Sequence, residues 1–340
     1  MAGVKIGLLL TSVHDGSTSP TRQIDEHRRL VTMADELGFD LMVAGQHFLS
    51  PSLRYLQPIP YLAHLAALAP TMRTATGILL LPLLHPVQVA EELATLDALT
   101  SGRAVLGVGI GYADEEFQNF GVDRRTRVRR FAESLEVIRA VWRGEPFHHD
   151  GEFWTIDAPE NAVRPVQVAG PPVWIAGQTE AAVRRAARLG DAWYVPPFPT
   201  HEQLLALRRV FLEEREVAGR GPESEFPVRR ELFIAPSPAA AMASIGEQVR
   251  ARFETYVDWG MRQGTDVAPG FTEATEAALA SRFILGPPER CAEQLSRLST
   301  EAGMTTFVLK VQWPGLEPQE SLRQLELFGE EVMPLLGATV

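Results

Sequence analysis

Short, mostly apolar runs alternate with longer amphipathic ones from one end of this 340-residue chain to the other. The short runs are mostly too apolar for strands with one face in water, so they read as strands buried on both faces, as a parallel sheet requires. They fall at 4–10, 39–44, 74–80, 104–109, 172–176, 192–195, 228–235 and 305–311. Between them the apolar spacing changes to that of a helix: at 25–37, Leu30, Val31, Ala34 and Leu37 share a face with Ile24 and His27. Similar stretches cover 61–68, 87–99, 129–142, 180–189, 203–218 and 320–333. Eight strands, each followed by at least one helix, predict an α/β fold, a (β/α)8 TIM barrel. An open doubly wound sheet is the alternative, because alternation does not show closure. The surplus length falls into two insertions, 144–171 before strand five and 237–290 after strand seven. No repeat, low-complexity tract or linker divides the chain, so one domain over 1–340 is expected.

Composition narrows the function. A formal charge of -11 and 45% hydrophobic residues argue against a nucleic-acid partner and for a large buried core. Arginines alternate with glutamates along the helices, which reads as solvated faces. The single cysteine, Cys291, rules out an intrachain disulfide and a multi-cysteine metal site, and its helical setting points to an inert packed thiol. No H-x-H, H-E-x-x-H or G-x-S-x-G pattern occurs, so neither a metal centre nor a nucleophile elbow is expected. The opening residues lack the form of a signal peptide and no apolar stretch approaches the ~20 residues of a membrane span, so a cytoplasmic protein is expected.

In a barrel of this kind the chemistry sits where strands end. Strand four ends Leu106-Gly107-Val108-Gly109-Ile110-Gly111-Tyr112, where missing side chains let a flat ligand or another backbone approach. The run is not the dinucleotide fingerprint, because Tyr112 stands where the third glycine belongs. Strand two is followed by Gly45-Gln46-His47-Phe48, placing a histidine at the mouth as a base, a proton donor or a loop cap. Strand three ends in Gly77-Ile78-Leu79-Leu80, an apolar surface for the face of an aromatic ring or, for the outer leucines, ordinary barrel core. Strand five runs into Ala176-Gly177-Gln178-Thr179, a helix start able to hold a phosphate or simply capped by Thr179. His148-His149 beside Asp150 reads as an exposed polar loop.

Several further runs complete a pattern over nearly the whole chain. Leu81-Pro82 leads to His85-Pro86-Val87, then Ala90-Glu91-Glu92 and Leu96-Asp97-Ala98-Leu99-Thr100-Ser101-Gly102-Arg103. Glu116-Phe117, Phe120-Gly121 and Arg129-Arg130-Phe131 follow strand four; Arg164-Pro165, Pro171-Pro172-Val173-Trp174-Ile175-Ala176-Gly177 and Leu189-Gly190-Asp191-Ala192-Trp193 surround strands five and six. In this order and spacing, with Gln46-His47-Phe48, the set resembles the bacterial luciferase-like family, flavin- or deazaflavin-dependent oxidoreductases on a (β/α)8 barrel.

The resemblance implies an isoalloxazine ring against Gly77, Ile78 and Leu79, bordered by Gly109 and Ile110, with a non-proline cis peptide at or next to Gly77–Ile78. It implies a phosphate end held by Ala176, Gly177, Gln178 and Thr179, with Arg129 as countercharge, and His47 in a proton-transfer role. Luciferase proper has a second histidine where this chain has Gln46 and an arginine where it has Ile110, which argues against light-emitting aldehyde oxidation. The implied activity is a two-component monooxygenase. It takes reduced FMN from a separate flavin reductase and uses O2 on a hydrophobic or aromatic small molecule, under lids formed by 50–60 and 237–286. The Leu81-to-Val87 run is closer to the FMN branch than to the deazaflavin (coenzyme F-420) branch, whose members transfer hydride. A non-catalytic flavin-binding protein is a third possibility. The family habit implies a homodimer.

Overall fold

The computed structural model describes residues 3–10, 18–50, 53–223, 225–256 and 282–338. Segment 257–281 of the second insertion and residues 51–52 of the first expected lid lie outside the described residues. The strands are β1 Lys5–Leu10, β2 Leu41–Ala44, β3 Arg73–Thr76, β4 Leu79–Leu80, β5 Ala104–Gly109, β6 Phe147–Asp150, β7 Thr155–Ala158, β8 Val173–Ala176, β9 Ala192–Tyr194, β10 Pro227–Ile234, β11 Ile284–Gly286 and β12 Thr306–Lys310. Parallel pairing runs β10-β12-β1-β2-β3-β5-β8-β9, with β11 added beside the far end of β10. Among the described residues a single parallel bridge, Val195 to Val228, joins the two ends of this run. Around it the Val195 N–H donates to the Pro227 carbonyl at 3.0 Å and the Arg229 N–H to the Val195 carbonyl at 2.9 Å. The result is the expected TIM barrel with its helices outside.

Side-chain alternation divides the apolar residues into two layers. Leu9, Val43, Ala75, Val105, Trp174, Tyr194 and Val308 fill the barrel interior. Leu8, Met42, Leu106, Ile175 and Leu309 face outward and pack under the helices with Val31, Leu62, Leu93, Ile138 and Leu295. Cys291 lies in this outer layer on the helix Pro288–Ala302, and burial pushes its thiol up to about 12. The floor of the barrel is ionic. Glu225 accepts two hydrogen bonds from Arg73 (2.8 and 3.0 Å) and one from Trp174 Nε1 (2.9 Å).

Three expectations need correction. The strand read at 74–80 is two pieces, β3 and β4, separated by a cis Gly77–Ile78 peptide. At the break the Thr76 hydroxyl substitutes for the ladder, donating to the Gly107 carbonyl and accepting from its N–H, both at 2.8 Å. The helix expected at 25–37 begins at Pro20, whose fixed φ suits a first helical position. His148-His149 lie on β6, paired with β7, rather than in a loop. His149 is turned toward Glu133 (3.3 Å), which also accepts from the Phe153 and Trp154 N–H groups. Glu133 thus ties this hairpin to the helix Arg127–Arg143.

The run Leu96 to Arg103 is explained by one buried carboxylate. Asp97 accepts from the Ala104 N–H (3.2 Å) and from the Gln167 amide and backbone (2.7 and 3.0 Å). It therefore binds the end of the first insertion to the start of β5. Among the described residues no helix is long and apolar enough to cross a membrane.

Candidate active site

The strand ends enclose a cavity of about 250 Å³, lined by residues of seven of the eight barrel strands or the loops that follow them. Its wall includes His47, Gly77, Ile78, Gly109, Ile110, Ala176, Gly177, Gln178 and Thr179, so the structure brings together nine residues singled out from the sequence. Leu79 and Arg129 are not among them. Leu79 is turned into the outer apolar layer, because the chain leaves the cis peptide with the Ile78 side chain, not its own, toward the mouth. Arg129 is 63% exposed and pairs with Glu152 at 2.9 Å. The arginines of the cavity wall are instead Arg124, Arg185 and Arg229.

One side of the cavity is bare backbone. A Cβ on Gly109 would come within 2.1 Å of Ile78 Cδ1, and one on Gly77 within 2.1 Å of Val43 Cγ1. A Cβ on Gly45 would lie 3.1 Å from the Gly77 carbonyl oxygen. Gln46 holds the cis segment against this wall. Its N–H donates to the Ile78 carbonyl (3.2 Å) and its Oε1 accepts from the Leu80 N–H (2.9 Å). That is a structural use for Gln46.

His47 is braced from behind. Its Nδ1 lies 3.2 Å from Glu116 Oε1, and the same oxygen accepts from the Phe48 N–H at 2.8 Å. Glu116 comes from the short helix Asp114–Asn119 and is buried; its Oε2 has no hydrogen-bond partner among the described residues. Tyr55 and Tyr112 stand edge-on to the imidazole, with centroids at 4.8 and 5.8 Å.

Beyond β8, Thr179 caps the helix Glu180–Leu189, its Oγ1 accepting from the Ala182 N–H at 3.3 Å. A capping hydroxyl can still donate, and the helix end is positive, so the capping and phosphate-holding readings are compatible. Arg185 lies on this same helix. On the far side, the Arg229 guanidinium is 2.6 Å from Glu231. Tyr194 lines the cavity, and its hydroxyl is buried and has no hydrogen-bond partner among the described residues. Burial, aided by Glu231 and opposed by Arg229, raises its pKa well beyond the ordinary phenol value, so it stays a neutral donor.

Tyr194 and Arg229 escaped sequence reasoning. The available signal was a charged run, Arg229-Arg230-Glu231, inside a barrel strand, where side chains alternate between helix layer and lumen. The His85 of the Leu81-to-Val87 run is not a cavity residue. It packs against Trp154 (centroids 4.7 Å), and burial with the nearby Arg130 charge lowers its pKa.

Comparison with known proteins supports what this geometry suggests. The profile of a family described as luciferase-like monooxygenase matches residues 4–306. The 4-hydroxyprotoasukamycin monooxygenase of Streptomyces nodosus subsp. asukaensis is 26% identical over 354 aligned positions, spanning 100% of this chain and 94% of that protein. Two solved structures share the fold. The FMN complex of the oxygenating constituent of 3,6-diketocamphane monooxygenase, from a Pseudomonas putida plasmid, aligns with a TM-score of 0.82 at 22% identity, covering 98% of each chain. An F420-dependent secondary alcohol dehydrogenase aligns at 0.79 and 19% identity, covering 98% of this chain and 99% of that one.

Proposed function

The chain belongs to the luciferase-like monooxygenase family, and from that premise we propose that it is the oxygenase of a two-component system. It receives reduced FMN from a separate flavin reductase and uses O2 on an apolar or aromatic small molecule. The observation that carries this reading is the bare wall at Gly45, Gly77 and Gly109, continuous with apolar Ile78 and facing a cavity whose ionisable lining groups, among the described residues, are histidine, tyrosine and arginine. A flat apolar surface beside a cationic rim suits a planar ring that carries a phosphate.

Gly77, Ile78, Gly109 and Ile110 would hold the ring; Ala176, Gly177, Gln178 and Thr179, with Arg185 in place of Arg129, would hold the phosphate. Bound reduced flavin supplies the electrons that activate O2. The protein does the rest. His47, oriented by Glu116, holds or moves a proton at the reacting face. Tyr55, Tyr112 and Phe198 narrow the mouth with rings and keep water from it. A separate reductase is favoured by the absence of a dinucleotide fingerprint and by the solved relative described as an oxygenating constituent.

A second reading, hydride transfer with the deazaflavin coenzyme F420, is favoured by the equally complete overlap with the F420-dependent dehydrogenase. Parallel titrations with FMN, reduced FMN and F420 separate the two. Micromolar or tighter binding of reduced FMN, ~8 kcal/mol or more, with substrate-dependent O2 uptake, is the expected result. Preference for F420 would replace oxygenation by hydride transfer. Binding of flavin without turnover would make the protein a non-catalytic carrier.

A further inference from the structure

Gln57 stands at the N-terminal end of the helix Pro58–Ala66, yet its side chain does not cap that helix. It turns back to the mouth instead. Gln57 Oε1 accepts from Gln46 Nε2 at 2.8 Å, and Gln57 Nε2 donates to the His47 carbonyl at 3.5 Å. Gln46 in turn accepts from the Leu80 N–H at 2.9 Å. These groups form one chain, from the far end of the cis segment to the backbone of the histidine.

The direction of the chain is fixed at both ends. An amide side chain carries an acceptor and a donor and can sit either way round. A backbone N–H only donates, and a backbone carbonyl only accepts. Leu80 therefore requires the oxygen of Gln46, which leaves the Gln46 NH2 group facing position 57. The His47 carbonyl requires a donor from that same position. Position 57 must accept on one side and donate on the other, which glutamine does and a carboxylate, an ammonium or an alkyl group cannot. Its backbone is anchored, because the Gln57 carbonyl accepts from the Tyr61 N–H at 3.3 Å and Pro58, Tyr61 and Leu62 are buried. Gln57 itself is exposed, so changing its side chain opens no core cavity.

We propose that Gln57 is a positioning residue of the site: it sets the spacing between the bare wall, held through Gln46, and His47, held through its carbonyl. Gln57 does not line the cavity, so it acts through the two residues it orients. This inference rests on the proposed function for the identity of the ligand on the wall, but not for the chain of hydrogen bonds itself.

Fluorescence titrations with FMN and with riboflavin between pH 8 and pH 5 test it on the wild type, Gln57→Leu and Gln57→Glu. Gln57→Leu, which neither accepts nor donates, should weaken both flavins by about tenfold at every pH, as the loss of one or two hydrogen bonds does. Gln57→Glu should show a similar deficit at pH 8, where its carboxylate faces the His47 carbonyl. That contact disfavours the charged form and raises the new group's pKa above the ordinary ~4.3. The protonated acid accepts and donates as glutamine does, so the deficit should narrow to about threefold or less at pH 5. Ratios to the wild type at each pH remove the titrations that both proteins share. The urea midpoints should stay near that of the wild type; if Gln57→Leu folds poorly, the near-isosteric Gln57→Glu decides by its pH dependence alone. Flavin affinity of Gln57→Leu within about twofold of wild type overturns the proposal. So does a Gln57→Glu deficit that is constant with pH, or one confined to FMN, which would be repulsion of the phosphate. Hydrogen exchange of the Leu80 amide, read on flavin-free protein, should be about tenfold faster in Gln57→Leu, and an unchanged rate overturns the proposal as well. A wild type that binds no flavin defeats the proposed function instead, and that exchange rate still decides the positioning role.

Discussion

His47 and Glu116 are 69 residues apart in sequence and 3.2 Å apart in space. A carboxylate behind Nδ1 fixes the ring's rotamer and tautomer, so the pair works as one unit. His47→Ala should lower turnover by ~10²–10⁴-fold, the usual worth of a positioned acid–base group. Glu116→Gln, which can still accept from the Phe48 N–H, should cost about tenfold, or ~1.4 kcal/mol. Neither should change flavin affinity by more than about threefold. The double variant should be no slower than His47→Ala alone, as coupled residues require. Additive losses in a turnover assay would mean that Glu116 acts elsewhere. Both residues stand out in the sequence, one at a strand end and one in an acidic segment. Their pairing does not, because no local pattern reports a contact made by two loops folding over one mouth. Arg129 is a similar case: its position near the start of a long helix is visible, but its pairing with Glu152 on the insertion is not.

At the scale of the element, the interrupted third strand decides how much room the mouth has. A 74–80 strand is the natural reading of an apolar run, and periodicity holds no sign of a break inside it. The glycines of β5 register that break. A Cβ on Gly107 would fall 1.9 Å from the Thr76 carbonyl oxygen, which is backbone, whereas one on Gly109 would meet only the tip of the Ile78 side chain. Gly107→Ala should therefore destabilise the fold by ~1–3 kcal/mol, as overpacking does. Gly109→Ala should leave the urea midpoint nearly unchanged and weaken FMN binding by about tenfold or more, by displacing Ile78 into the ring's place. The reverse pattern would show that Gly109, not Gly107, holds the strand ends together. The Thr76 hydroxyl bonds to Gly107 explain why the sheet stays closed across the gap.

For the whole molecule, all eight barrel strands were legible, because burial on two faces leaves a composition that sequence displays. Closure was not, since it depends on one bridge between residues that share no pattern. Nor was the ionic floor, assembled from β1, β3, β8 and β12 around a glutamate preceding β10. Burial pushes the Glu225 carboxyl up, but the Arg73 hydrogen bonds and charge, with Lys5 and Trp174, outweigh it and hold it below its usual 4.5. Its stabilisation is present above that value and is lost as pH falls through the lowered one. Urea unfolding should show the wild type weakening below about pH 4.5. Glu225→Gln should cost ~3–5 kcal/mol at neutral pH, and the gap between the two proteins should shrink in acid. A gap constant with pH would sink the assignment. The remaining consequence is mechanical. Around the ring, β9 meets β10 through the lone Val195–Val228 bridge, while every other joint is pinned by two residue pairs or more. Tyr194 and Arg229 flank that thin joint, and the glycine wall lies where pairing is continuous. The mouth therefore has one side tied by continuous strand pairing and one side tied at a single point.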